Sequence, residues 1–293
     1  MFSVSSAKIA QILCLSSLSC EMVSAQRLVV LEEGLNGFTG FEDATLFSEA
    51  DTSAGGGAGI VSGTIRNNPW HRRALLRADL SFIPPGTTIS EVSLTLVVVN
   101  SGGNFGDFDY RLHSLSKSWG EGTNVPDNAG GQGIPALTGD VTWRSNFHNQ
   151  TEWINPGGDF APFPSAVASA GRFASVGVWD GAGMASDVQD WITSPSSNFG
   201  WILISTIEGT FQRVKLFNSS EATSNRPRLT LTLDLDPGDV DLDGKLSARD
   251  VQLVVNALFG NGPNRFLADV TGDGLINKAD LDRVSDRATH KAK

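Results

Sequence analysis

The chain has 293 residues, 40% of them hydrophobic and 18% charged, with 32 acidic against 22 basic side chains and a formal net charge of −10. That length supports a sizeable core without disulfide staples, and the acidic balance argues against a nucleic-acid partner and against long-range attraction of polyanions.

Residues 1–25 read as a secretory signal peptide. Lys8 supplies the positive end, Ile9 to Leu18 a short apolar run, and Val23-Ser24-Ala25 a small-residue cleavage site before Gln26. The run is too short to span a bilayer. Both cysteines, Cys14 and Cys20, fall inside this segment, so the mature chain is expected to be secreted or held at the cell surface without a thiol.

Residues 26–235 are broken into short β-favouring runs separated by turn signals. The expected strands are Gln26 to Leu31, Ala44 to Ser48, Ala74 to Leu80, Glu91 to Val99, Tyr110 to Leu115, Val176 to Trp179, Trp201 to Ser205, Val214 to Phe217 and Arg228 to Leu235. Alternation of Ser93 and Thr95 with Leu94 and Leu96, repeated by Thr230 and Thr232 among Leu229, Leu231 and Leu233, marks strands with one wet face. Helical character is confined to Ser186 to Ile192, and the Gly55-Gly56-Gly57 run reads as a flexible loop. Many short strands over this length indicate an all-β jelly-roll sandwich.

Several phrases then fall in a familiar order: Asp43-Ala44-Thr45-Leu46, Arg73 to Ser81 followed by Ile83-Pro84-Pro85-Gly86, Ser118-Trp119-Gly120-Glu121-Gly122, Val141-Thr142-Trp143, Asp187 to Trp191, Asn198-Phe199-Gly200-Trp201 and Arg226-Pro227-Arg228-Leu229. Together they resemble the DNRLRE-type domain, related to carbohydrate-binding module family 96 and to disaggregatase-related repeats. The resemblance implies a secreted jelly-roll sandwich that binds polysaccharide without cleaving it.

All seven tryptophans belong to this domain. Sugar rings stack their C–H faces on indoles while polar side chains bond the hydroxyls. Trp119, Trp143, Trp191 and Trp201 sit within the family-like phrases and are expected in the core. Trp70, beside Arg72, and Trp153, six residues before Asp159, stand in polar loop contexts, so Trp70, Arg72, Trp153 and Asp159 are the expected ligand contacts. Arg66, Arg72, Arg73 and Arg77 form a basic cluster in which alternation sends at least one inward, toward an acid such as Asp79. No Gly-x-Ser-x-Gly, His-Glu-x-x-His or phosphate-cradling Gly-Lys motif is present. Glu121, Glu152 and Asp159 keep a polysaccharide hydrolase or lyase open as an alternative, because a glycosidase needs only two suitably spaced carboxylates. A structural cell-surface or matrix protein is the third reading.

Residues 236–293 carry two loops of one design. The first places Asp239, Asp241, Asp243, Lys245, Ser247 and Asp250, and the second Asp269, Thr271, Asp273, Leu275, Asn277 and Asp280, at positions 1, 3, 5, 7, 9 and 12 of an EF-hand loop. Those positions supply carboxylates, a backbone carbonyl at 7 and a water-bridged contact at 9, with Gly244 and Gly274 making the sharp turn at 6. Two Ca2+ sites are expected, the second weaker because Thr271 is neutral. After each loop Val251, Val254, Val255 and Leu258, then Leu281, Val284 and Ala288, recur at helical spacing; no amphipathic helix precedes either loop. Asp234 to Gly238 reads as a Pro-Gly linker, and calcium as the staple that a unit of this size needs.

Paired half EF-hands of this kind resemble a type I dockerin, which implies a cohesin-like partner on a cell-surface assembly. Where dockerins often carry a repeated Ser-Thr pair facing that partner, this chain has Ala248-Arg249 and Lys278-Ala279. That leaves a different surface protein, or docking within the chain, as alternatives.

Overall fold

The computed structural model describes residues 26–65, 70–101, 106–127 and 132–291. In chain order the strands are β1 (Arg27–Glu32), β2 (Phe41–Phe47), β3 (Thr52–Ser53), β4 (Gly59–Thr64), β5 (His71–Ala78), β6 (Ile89–Ser101), β7 (Phe108–Ser114), β8 (Ile134–Pro135), β9 (Ser145–Phe147), β10 (Thr151–Glu152), β11 (Ala166–Ala170), β12 (Val176–Asp180), β13 (Trp201–Ser205), β14 (Arg213–Asn218) and β15 (Arg228–Leu233). The longer helices are α1 (Ala182–Thr193), α2 (Ala248–Leu258) and α3 (Lys278–Lys291). The expected signal peptide lies outside the described residues.

Eleven strands form one curled antiparallel sheet that folds over on itself as a sandwich. One layer is β1, β15, β6 and β12; the other is β2, β5, β13, β7 and β11. The long strand β6 serves both parts of the curl. Its first half pairs with β15 and β12, and its end passes to β14, with a register shift at Leu216/Phe217. A bulge of this kind bends a strand and lets it turn a corner between layers.

Alternation builds the interior. Val92, Leu94, Leu96 and Val98 of β6 and Leu229, Leu231 and Leu233 of β15 face Ala74, Leu76, Leu112, Trp201 and Leu203 of the opposite layer in one buried cluster. The second layer is buried on its other face too. There Ala44, Leu46, Leu75, Ile202 and Ile204 are covered by Leu115, Trp119, Val141 and Trp153 from the long excursion after β7. Sheets buried on both faces read as continuous apolar runs, which is why Trp201 to Ile204 shows no alternation.

Helix α1 closes one end of the sandwich through Met184, Val188, Trp191 and Ile192. Trp191 and Trp201 meet with ring centroids 4.5 Å apart, and the Trp201 indole N–H donates to Asp187 Oδ2 at 2.7 Å. The glycine run after β3 is a packed element, in contrast to the flexible loop expected. A Cβ at Gly55 would lie 1.9 Å from the carbonyl oxygen of Glu121, so only glycine permits that approach.

The C-terminal helical unit is fused to this core rather than hung from it. Phe266 is T-stacked on Phe38 at 5.2 Å and on Phe82 at 5.0 Å, and Val240, Leu242, Val254, Leu267, Val270 and Val284 continue the same buried cluster. The expected linker is tied down. Asp234 N–H donates to Thr88 O, Pro237 O accepts from Arg27, and Asp236 pairs with Arg287 at 2.8 Å.

Candidate metal centre

Each loop wraps its own first aspartate. Asp239 is fully buried; its Oδ1 accepts the Asp243 N–H at 3.1 Å and its Oδ2 the Gly244 N–H at 2.8 Å. Asp269 repeats this, accepting from Gly272 and Asp273 on Oδ1 and from Gly274 on Oδ2. Gly244 and Gly274 adopt φ of 83° and 85°, the left-handed turn that position 6 demands. The twelfth residues are also equivalent. Asp250 Oδ1 accepts the Val240 N–H at 2.8 Å and Oδ2 the Ser247 N–H at 2.8 Å; Asp280 does the same with Val270 at 3.0 Å and Asn277 at 2.9 Å.

These contacts tie each loop to its exiting helix. Ser247 and Asp250 form a reciprocal capping box at the start of α2, and Asn277 Oδ1 accepts the Ala279 N–H at 2.7 Å ahead of α3. The position-9 side chains Ser247 and Asn277 are therefore helix caps in this structure, a use that the ligand pattern alone does not reveal. The Ser-x-x-Asp and Asn-x-x-Asp spacings carry that signal. Lys245 and Leu275, at position 7, sit where the Asp243 and Asp273 carboxylates accept their N–H groups at 2.8 Å.

Among the described residues, Asp239, Asp241 and Asp243 bring one carboxylate oxygen each to within 4.8 Å of one another. Burial pushes the Asp239 carboxyl up to about 6, with Asp250 and Asp243 adding repulsion against its N–H donors. Asp269 is raised by burial in the same way, with Asp280 and Asp273 contributing. Converging, partly desolvated carboxylates fit a hard cation, and each bonded oxygen retains lone-pair capacity for one. In the second loop the Thr271 hydroxyl lies 3.3 Å from Asp269 Oδ1 and 3.0 Å from Asp280 Oδ1, so a neutral group occupies the place of a third carboxylate. Arg249 pairs with Asp241 at 2.8 Å on the exposed side of the first loop.

A residue outside the pattern sits behind both loops. Arg27 of β1 is 1% exposed; it donates from Nη1 to Pro237 O at 2.5 Å and from Nη2 to Leu267 O. Burial lowers its pKa to about 10, against the pull of Asp239, Asp250 and Asp269. A lone arginine opening the apolar run Leu28 to Leu31 is the sequence signal that this position carries.

Three of the four expected sugar contacts are buried in the structure. Trp153 is 4% exposed, turned from the excursion after β7 down onto Leu75 and Ile202, with its indole N–H on Thr142 O at 3.0 Å. It has no free face on which to stack a ring. Arg72 is fully buried, forked onto Glu49 and stacked on Phe47. Asp159 is buried and accepts from the Ile154 and Asn155 N–H groups at 2.7 and 2.9 Å. Trp70 is half-buried just before β5. Asp79 is not the acid that receives the inward arginine: Arg73 pairs with Glu208 and Arg77 with Glu42, while Arg66 lies outside the described residues. Of the tryptophans expected in the core, Trp119, Trp191 and Trp201 are there; Trp143 is half-buried with Arg73 over its ring.

The loops, caps and single exiting helices define a paired half EF-hand module. Residues 237–287 match the family model described as the Dockerin type I domain, the calcium-dependent attachment module of cellulosome-like assemblies. A search of curated proteins finds no match. Among the described residues no helix is long and apolar enough to cross a membrane.

Proposed function

We propose that this is a secreted, non-catalytic polysaccharide-binding protein whose calcium-dependent dockerin module attaches it to a cohesin-like surface protein. The observation that carries the attachment role is the repeated loop geometry, in which two buried aspartates, Asp239 and Asp269, are held by the same N–H donors ahead of capped helices. Two Ca2+ ions belong to these loops, the second more weakly. Phe259 is 78% exposed just past the end of α2, beside Leu258, and offers an apolar anchor for the partner.

For polysaccharide, a cleft of about 570 Å³ supports the reading better than the residues singled out in the sequence. It is lined by Glu33, Glu42, Arg77, Asp79, Pro195 and Asn198. The Asn198 Nδ2 donates to Ala78 O at 2.8 Å, and its Oδ1 is buried without a hydrogen-bond partner behind the cleft wall. That size lies within the range of small-ligand sites, roughly 300–1,000 Å³, and convergent polar groups suit sugar hydroxyls. A hollow beside Trp143 holds only about 140 Å³, below that range.

Affinity gels over a panel of polysaccharides, run beside a reducing-sugar assay, test the proposal. Retention without new reducing ends, lost in Asn198→Ala, is the expected result. New ends would make the protein a hydrolase or lyase, and neither retention nor new ends would leave the structural role. Calcium-dependent capture by a type I cohesin, abolished by EGTA, tests the attachment half separately.

A further inference from the structure

The sandwich holds the two calcium loops unequally. Their lead-ins are treated alike: the Arg27 guanidinium forks between Pro237 O and Leu267 O, each two residues ahead of its loop's first aspartate. The turns that follow differ. At position 4 the first loop carries Leu242, 2% exposed, which joins the buried cluster with its own side chain. The second loop has Gly272 there, and a Cβ on it would lie 2.7 Å from Cδ2 of Leu28, a residue of β1. At position 6, a Cβ on Gly244 would meet nothing within 4 Å, whereas one on Gly274 would reach Leu35 Cδ1 at 4.0 Å. The Asn36 Nδ2 also donates to Gly274 O at 3.3 Å. The first loop anchors itself, and the second borrows its anchor from the sandwich.

The turn between β1 and β2 has the conformation that this contact needs. Asn36 has φ of 50°, in the left-handed region that Asn enters more readily than most side chains. Gly37 follows at φ 85°, and a Cβ there would lie 2.7 Å from Arg265 Nε, just ahead of the second loop. Phe266, next in the chain, is stacked on both Phe38 and Phe82. The second loop is also the one short of charge, with Thr271 where the first has Asp241. Fewer carboxylates give the ion less to gain, so the ordering of the turn weighs more in whether it binds.

We infer that Leu28 and Asn36 are positioning residues for the second calcium loop, so that docking of the module on the sandwich and filling of that loop strengthen each other while the first loop stays independent. This rests on the assignment of calcium to the two loops made above. Linkage makes the effect mutual: the factor by which docking raises calcium affinity is the factor by which calcium raises docking, and such couplings run to about 5–150-fold. With both loops filled, sandwich and module move as one body. As calcium falls, the second ion leaves first and the module loosens from the sandwich while α2 and the first loop keep their ion. Calcium would thereby set how freely the sandwich turns on its attachment.

The test is a pair of calcium titrations on the full chain. Asp243→Asn silences the first loop and leaves the second to report; Asp273→Asn does the reverse. In the Asp243→Asn background, Leu28→Ala together with Asn36→Gly is expected to weaken calcium binding about tenfold, the glycine deleting the amide while accepting the left-handed turn. In the Asp273→Asn background the same pair is expected to leave the affinity unchanged, which a general loosening of the fold would not do. Unchanged affinity in the Asp243→Asn background overturns the inference, and so does an equal loss in both. Should neither background bind calcium, the assignment of calcium to the loops falls and takes the inference with it. If the paired variant does not fold by near-UV circular dichroism, Asn36→Gly alone decides on the same outcomes.

Discussion

Replacing Arg27 with methionine removes the guanidinium that holds the calcium module to the sandwich while keeping most of the apolar stem. Two carbonyls, Pro237 O and Leu267 O, lose their donors in a buried place. Each orphaned acceptor costs about 1–3 kcal/mol, for a sum of about 2–6 kcal/mol. Part of this is returned, because the guanidinium is itself poorly solvated: burial pulls its pKa down to about 10 despite three neighbouring aspartates. The net loss is therefore at the low end, about 2–3 kcal/mol, or roughly 30- to 150-fold in the population of undocked module. Calorimetry in saturating calcium should resolve two transitions where the native protein gives one. Limited proteolysis should cut first between residues 234 and 238. Arg27→Lys, which can reach only one carbonyl at a time, should fall between. A single transition with unchanged protease resistance in Arg27→Met would refute the reasoning, and would mean that the ring contacts of Phe266 alone hold the module.

Two further outcomes are expected. In the dockerin module, Asp243→Asn should remove the tighter loop site and Asp273→Asn the weaker, the two differing by about tenfold in affinity, or about 1.4 kcal/mol, in isothermal titration; the reverse order would contradict the part given to Thr271. In the sandwich, burial acts to raise the Asp159 pKa, but the N–H groups of Ile154 and Asn155, the Asn155 side chain and Lys117 outweigh it and hold the carboxyl below its usual range. A carboxylate lowered in this way adds stability above the unfolded pKa, near 4, that is lost as pH falls through the folded value. Asp159→Asn should lower the neutral-pH stability by about 1–3 kcal/mol and flatten the acid limb of the melting-temperature profile. An unchanged acid limb would show that another group dominates there.

The strands were legible because their alternation or apolar runs are local. Leu229, Leu231 and Leu233 announce β15, and the spacing after Asp250 and Asp280 announces α2 and α3. The loop aspartates were legible for the same reason, since one turn of chain holds the whole ligand set. What local pattern cannot express is burial decided by a distant segment. Trp153 reads as a loop residue among polar neighbours, yet the excursion carrying it folds down as a lid on Leu75 and Ile202. Arg27 and Pro237 lie 210 positions apart, and Asp43 and Ser220 lie 177 apart, so neither pairing has a local signature. The fastening of Asp234 to Gly238 has no local signature either, because Pro and Gly mark a turn without saying whether the turn is tethered.

The pairing of β1 with β15 bears on when the sandwich can form. Arg27 lies opposite Leu233 and Glu32 opposite Arg228, so the first strand finds its neighbour only when the last strand exists. Contacts of such long sequence separation must meet the full loop-closure entropy before they contribute, which makes assembly slow. Until then Val29 and Leu31, and the facing edge of β6, stand open. During synthesis the chain would depend on holdase protection until residue 233 has emerged, and truncation anywhere before that point should yield an aggregating fragment rather than a smaller sandwich.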